Sequence, residues 1–92
     1  MGKQVTQSDM PATNSILDSA NLGKLIKAKR TAMKMKLADC ASLCNVGINT
    51  LSRVENGNPN STLGATFSIL KGLGIKLSFT ESSMDLSNEE WV

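Results

Sequence analysis

Leu37-Ala-Asp-Cys-Ala-Ser-Leu-Cys-Asn-Val-Gly-Ile-Asn-Thr-Leu-Ser-Arg-Val-Glu-Asn-Gly57 is the stretch that decides the fold. Leu37, Cys40, Ala41 and Cys44 recur at i, i+3, i+4 and i+7, an apolar stripe that predicts a helix over 37–44. Ala41 is small enough for close approach of a neighbouring helix. Asn45 stands where the chain must turn, and Asn tolerates left-handed backbone better than most residues with a Cβ. Gly47 is a permissive N-cap for a further helix over 48–55. In that helix Leu51 and Val54 face inward, as Val46 does just before it. Two short helices joined by a tight turn, the second free to present small and polar side chains outward, make a helix-turn-helix.

The flanking sequence extends this core. A first helix is predicted over about Ser19 to Met33, with Leu22, Leu25, Ile26 and Met33 near one face and Lys24, Lys27 and Lys34 in water. Asn56-Gly-Asn-Pro-Asn-Ser61 is a loop by composition. A fourth helix starts after Ser61 or Thr62, carries Leu63, Thr66, Phe67, Leu70 and Leu73, and ends at Gly74. The period then changes. Ile75-Lys-Leu-Ser-Phe-Thr-Glu81 alternates apolar and polar, which is a strand pattern. A lone strand leaves its backbone groups unpaired. The same strand from a second copy, antiparallel across a two-fold axis, solves this, with Ile75, Leu77 and Phe79 capping a joint core. The other reading is an extended segment lying on its own domain. The expected class is therefore all-α, with one C-terminal strand pairing across a homodimer. Residues 1–18 read as a flexible polar segment, 19–81 as the helix-turn-helix domain with its dimerisation strand, and 82–92 as a flexible acidic tail. Trp91, the only Trp, sits near the end of that tail. It is either an anchor for a pocket on another protein or folds back on its own domain.

Composition removes several function classes. The chain of 92 residues has no His, so it lacks the commonest general base and any Ser-His or Cys-His nucleophile. Its glycines match no phosphate-binding spacing. No enzyme, catalytic residue or cofactor is expected. Two cysteines without His make a poor metal site, because structural zinc wants four ligands. No metal is expected, and Cys40 and Cys44 read as small core hydrophobes. No apolar run is long enough for a membrane span, and the N-terminus has no signal-peptide pattern, so a cytoplasmic protein is expected.

Charge is unevenly spread. Lys24, Lys27, Lys29, Arg30, Lys34, Lys36 and Arg53 lie between Asn21 and Val54, against Asp39 alone. Beyond Lys76 come Glu81, Asp85, Glu89 and Glu90 with no base. A basic domain suits phosphates, and a separate acidic tail suggests a second partner. In a helix-turn-helix the second helix enters the DNA major groove. Asn49 is then the first candidate for a base contact, since Asn pairs in bidentate fashion with adenine. Ile48 can pack on a thymine methyl. Ser52 and Arg53 follow one turn on and share the stripe. Arg53 can grip a guanine or a phosphate, or be a plain surface charge. Thr50 can touch base or phosphate. Lys34, Lys36, Asn56 and Gly57, the last two including their backbone amides, are candidates for phosphate contacts, which position without reading sequence.

The pattern Gly23-x-x-Ile26-x-x-x-Arg30, then Ala41, then Thr50-Leu-Ser-Arg-Val-Glu-Asn-Gly57, resembles the lambda-repressor-like helix-turn-helix family of Xre or Cro/C1 type over residues 20–74. Asn58-Pro-Asn-Ser-Thr-Leu63, Phe67-x-Ile-Leu-x-x-Leu73, the strand 75–81 and an acidic tail ending in Glu90-Trp91 resemble the HipB antitoxin branch. That resemblance implies a transcriptional repressor that dimerises through its C-terminal strand, represses its own operon and binds a HipA-type Ser/Thr kinase toxin. It also implies a partly buried ion pair between Arg30 and Glu55. Two departures stand out. The family often has a polar N-cap on the recognition helix, where this chain has Gly47. The family usually has Thr or Ser and then Gln where this chain has Lys36 and Leu37, and Leu37 cannot make the phosphate hydrogen bond of that Gln. Two alternatives stay open: a stand-alone repressor with no toxin, and a protein-binding adaptor whose helix-turn-helix does not read DNA.

Overall fold

Val5 and residues 18–78 are the residues described by the structure, a computed structural model. Among them the chain forms α1 (Ser19–Ala32), α2 (Leu37–Cys44), α3 (Ile48–Glu55) and α4 (Leu63–Leu73). The bounds of α2 and α3 are those the sequence predicts. Asp18 starts α1 by accepting a hydrogen bond from the Asn21 amide at 2.7 Å. Thr62 starts α4 in the same way, from the Ala65 amide at 3.1 Å. Each cap satisfies a backbone donor that the helix itself cannot.

All four helices stop by one device. Lys34, Asn45, Gly57 and Gly74 take positive φ values of 60°, 60°, 80° and 72°. After each, the next amide reaches back to a carbonyl five residues earlier. The bonds are Met35 to Arg30 at 3.2 Å, Val46 to Ala41 at 3.0 Å, Asn58 to Arg53 at 3.0 Å and Ile75 to Leu70 at 2.9 Å. This is the left-handed helix stop of the Schellman type. Gly and Asn suit it, whereas a Lys carries a steric penalty there. We therefore expect Lys34→Gly to stabilise the domain by about 1 kcal/mol, which raises Tm by about 4–8 °C in a chain this size. An unchanged or lowered Tm in a thermal melt would contradict the strain at Lys34.

The core is built from all four helices. Ile26, Cys40, Leu51 and Ile69 are fully enclosed, and Ala41, Cys44, Val54, Leu70 and Leu73 complete the cluster. Leu22, Met35, Leu37, Val46 and Ile75 pack against its edge. Leu37 is thus part of the packing. Met33 lies just past the end of α1 and is exposed. On α4 the buried face is Thr66, Ile69, Leu70 and Leu73, while Leu63 and Phe67 are 71% and 50% exposed. The buried stripe is narrower than the apolar content of α4, so Ile69 takes a core place that the sequence reading gave no residue.

Both cysteines are buried and free, with their Sγ atoms 3.9 Å apart. Cys44 also donates to the Ile69 carbonyl at 3.6 Å, joining α2 to α4. Burial, reinforced by Cys44, pushes the Cys40 thiol up to about 12 from its ordinary 9.0. A buried thiol with so little thiolate does not react. Iodoacetamide at about pH 8 should modify neither cysteine of the folded protein and both after denaturation. Rapid modification of the native protein would contradict this packing.

Residues 75–78 hold no regular element, with Ile75 half-buried and Leu77 exposed. Phe79 and the rest of the expected strand lie outside the described residues, as do the acidic tail with Trp91 and nearly all of residues 1–17. No helix among the described residues is long and apolar enough to cross a membrane.

Candidate nucleic-acid interface

The position of α3 is fixed from behind. Glu55 and Arg30 form a buried ion pair, with Arg30 Nε donating to Oε2 at 2.6 Å and Nη2 donating to Oε1 at 3.0 Å. The remaining arm of Arg30 donates to the Met35 carbonyl at 2.7 Å. One guanidinium therefore ties α1 to the end of α3 and to the turn before α2. Its fork matches a carboxylate in two-pronged fashion, which sets direction as well as distance. Gly23 adds contact on the same side: a Cβ there would lie 2.5 Å from the Val54 carbonyl oxygen. Only a backbone without a side chain lets α1 approach α3 this closely. Ser19 donates to the Gly57 carbonyl at 2.9 Å, holding the chain just beyond α3.

With Leu51, Val54 and Glu55 turned inward, the outer side of α3 faces solvent. Ile48, Asn49 and Arg53 are exposed there, and Thr50 and Ser52 are half-buried at its flanks. The five residues expected to meet bases thus share one short helix, with three fully available. Ile48 is 46% exposed although apolar, on a helix whose core side is already filled. Lys34 and Lys36 are exposed on the connection from α1 to α2. Asn56 is exposed and Gly57 half-buried. Their amides are already used, by the Ser52 carbonyl and the Val54 carbonyl at 3.0 Å each. The Asn56 side chain stays exposed at this corner.

The structure adds a feature that the sequence reading did not contain. Thr50 and Arg53 of α3 line a cleft of about 220 Å³ together with Asn58, Asn60, Ser61, Thr62 and Ala65. Asn58 shapes this loop by accepting from the Asn60 amide at 2.8 Å. The signal was present in the polar run Asn58-Pro-Asn-Ser-Thr62, read only as a loop. What composition could not show is that this loop folds back beside the outer face of α3.

No metal site with three or more candidate side-chain ligands occurs among the described residues. Their buried polar side-chain atoms all have partners, so this is a surface of exposed groups on a satisfied frame.

No protein-family model matches this chain. No curated protein matches it in sequence. Solved structures do match. A HipB variant in complex with an O2 20mer aligns with a TM-score of 0.69 at 24% identity, covering 77% of this chain and 99% of that one. HipB in complex with an O4 20mer aligns with a TM-score of 0.69 at 23% identity, covering 76% and 99%. At that identity the likeness is one of architecture: this chain has the fold of HipB.

Proposed function

We propose that this protein is a sequence-specific DNA-binding repressor that acts as a homodimer. The observation that carries the reading is the outer face of α3. Ile48, Asn49 and Arg53 are held toward solvent on a helix locked from behind by Arg30–Glu55. Side chains of this kind have defined partners in the major groove: a thymine methyl, an adenine edge, and a guanine edge or phosphate. Lys34, Lys36 and Asn56 flank them as groups for phosphates. The fold is also that of two HipB structures described as complexes with 20mers.

The finer reading is a HipB-like antitoxin. In it the strand 75–81 pairs across the dimer through Ile75, Leu77 and Phe79. The acidic tail with Trp91 offers an anchor to a HipA-type kinase toxin, and the operon is autoregulated. A two-fold dimer places its recognition helices about 34 Å apart, so a near-palindromic operator follows.

The test is fluorescence anisotropy with the duplex immediately upstream of its own gene, against a scrambled duplex, across a salt series. We expect tighter binding to the upstream duplex and, from counterion release, a steep fall of affinity with salt. Equal weak binding to both duplexes would argue for the adaptor reading. A kinase-like reading frame beside this one, whose product is retained by the full chain and lost with Trp91→Ala, separates the antitoxin from a stand-alone repressor.

A further inference from the structure

Among the described residues, positive charge is almost wholly unanswered. Lys24, Lys27, Lys29, Lys34, Lys36, Arg53, Lys71 and Lys76 are all exposed. Among the described residues the one ion pair is Arg30–Glu55, which is buried and involves none of them. The other described acids are Asp18, spent on capping α1, and Asp39. The DNA-reading surface accounts for Lys34, Lys36 and Arg53 but leaves Lys24, Lys27 and Lys29 unused. Five of the eight exposed bases fall between Lys24 and Lys36, along α1 and the connection to α2. The chain itself carries the matching charge. Glu81, Asp85, Glu89 and Glu90 follow Ser78 with no intervening base.

We propose that the acidic C-terminal segment, residues 82–92, docks on the exposed lysines of α1 and of its connection to α2, between Lys24 and Lys36, in its own protein and competes there with nucleic acid. Reach is not limiting. The 11 residues of this segment span up to about 36–40 Å when extended, while a domain of residues 18–78 is roughly 27 Å across. A tethered segment acts at an effective concentration on the order of 1 mM, so even a weak contact is populated. With an intrinsic dissociation constant of a few tenths of a millimolar, it weakens DNA binding about threefold to fivefold. Specific and sequence-independent binding fall by the same factor, because both draw on the phosphate contacts of Lys34 and Lys36. The consequence for DNA rests on the function proposed above, whereas the docking does not.

The experiment is carbodiimide cross-linking of the full chain without DNA, with the joined peptides mapped by mass spectrometry. We expect Asp85, Glu89 and Glu90 to join the lysines from Lys24 to Lys36 at least fivefold more than Lys71 or Lys76, although those two lie closer in sequence. The links should fade at about 0.5 M salt, where charges are screened within a few ångströms. An even spread over all lysines, or links to Lys71 and Lys76 alone, would overturn the docking. In parallel, a random-sequence 20-base-pair duplex is titrated with the native chain and with a variant carrying Asp85→Asn, Glu89→Gln and Glu90→Gln. A threefold to fivefold gain at low salt supports the competition, and equal affinity overturns it. If neither protein binds any duplex while the mapped links persist, the docking stands and the DNA reading falls.

Discussion

Glu55→Ala should cost about 3–5 kcal/mol of folding stability, because it strands the Arg30 guanidinium without a carboxylate inside the domain. A domain of about 60 residues has only roughly 3–9 kcal/mol to lose, so much of the variant should be unfolded at 37 °C. The same holds for Arg30→Ala, which strands Glu55 and also removes the bond to the Met35 carbonyl. The pair is nearly enclosed, with side-chain exposures of 8% and 5%, so water cannot replace the lost partner. Replacing both partners with apolar residues, Arg30→Met with Glu55→Leu, should recover part of the loss, since no isolated charge then remains. Urea unfolding of the four proteins measures this directly. Single variants that lose less than about 1 kcal/mol would show the pair to be effectively a surface contact.

Gly23→Ala should be the most damaging addition of a single methyl group. Its Cβ would stand 2.5 Å from the Val54 oxygen, 2.6 Å from the Glu55 oxygen and 3.0 Å from the Glu55 carbonyl carbon. These are backbone atoms, so no side chain can swing aside, and α1 must move off α3. Overpacking of this kind costs about 1–3 kcal/mol or more. The movement also shifts the helix that carries Asn49, so DNA discrimination should fall in whatever fraction remains folded. Gly64→Ala is the control with the opposite sign. Nothing lies within 4 Å of the Cβ it would add to α4, and the change should add about 0.5–1 kcal/mol through helix propensity. Equal thermal stability of the Gly23→Ala and native proteins would refute the close approach.

The central helix-turn-helix was readable because its signals are local. The stripe from Leu37 to Cys44, Asn45 at the turn and Gly47 at the next start each act within a few residues, and the structure keeps both predicted helices. Lys34 gave no such signal. Its left-handed backbone is imposed by the closing bond from Met35 to Arg30 and by the packing of Met35, both beyond what a Lys announces. On α4, Leu63 and Phe67 recur at helical spacing, yet the partner helices cover only the side bearing Ile69 and Leu73. Which of two apolar stripes is buried depends on tertiary contacts. Arg30 and Glu55 are 25 positions apart, so no periodicity joins them. Family resemblance supplied that pair, and the geometry shows it. The partnership of Gly23 with α3 and the cleft beside Arg53 likewise come from chain segments distant in sequence.

The most direct test of the account is the ratio of affinities for the upstream duplex and its scrambled counterpart, measured by anisotropy for the native protein and for Asn49→Ala. Asn49 is exposed and takes no part in the core, so the variant should melt at the native temperature. A bidentate contact to adenine is worth about 1–3 kcal/mol of discrimination. The account predicts a ratio reduced about fivefold to 150-fold, with binding to the scrambled duplex unchanged. The same ratio in both proteins, at equal stability, would contradict a base-reading role for Asn49.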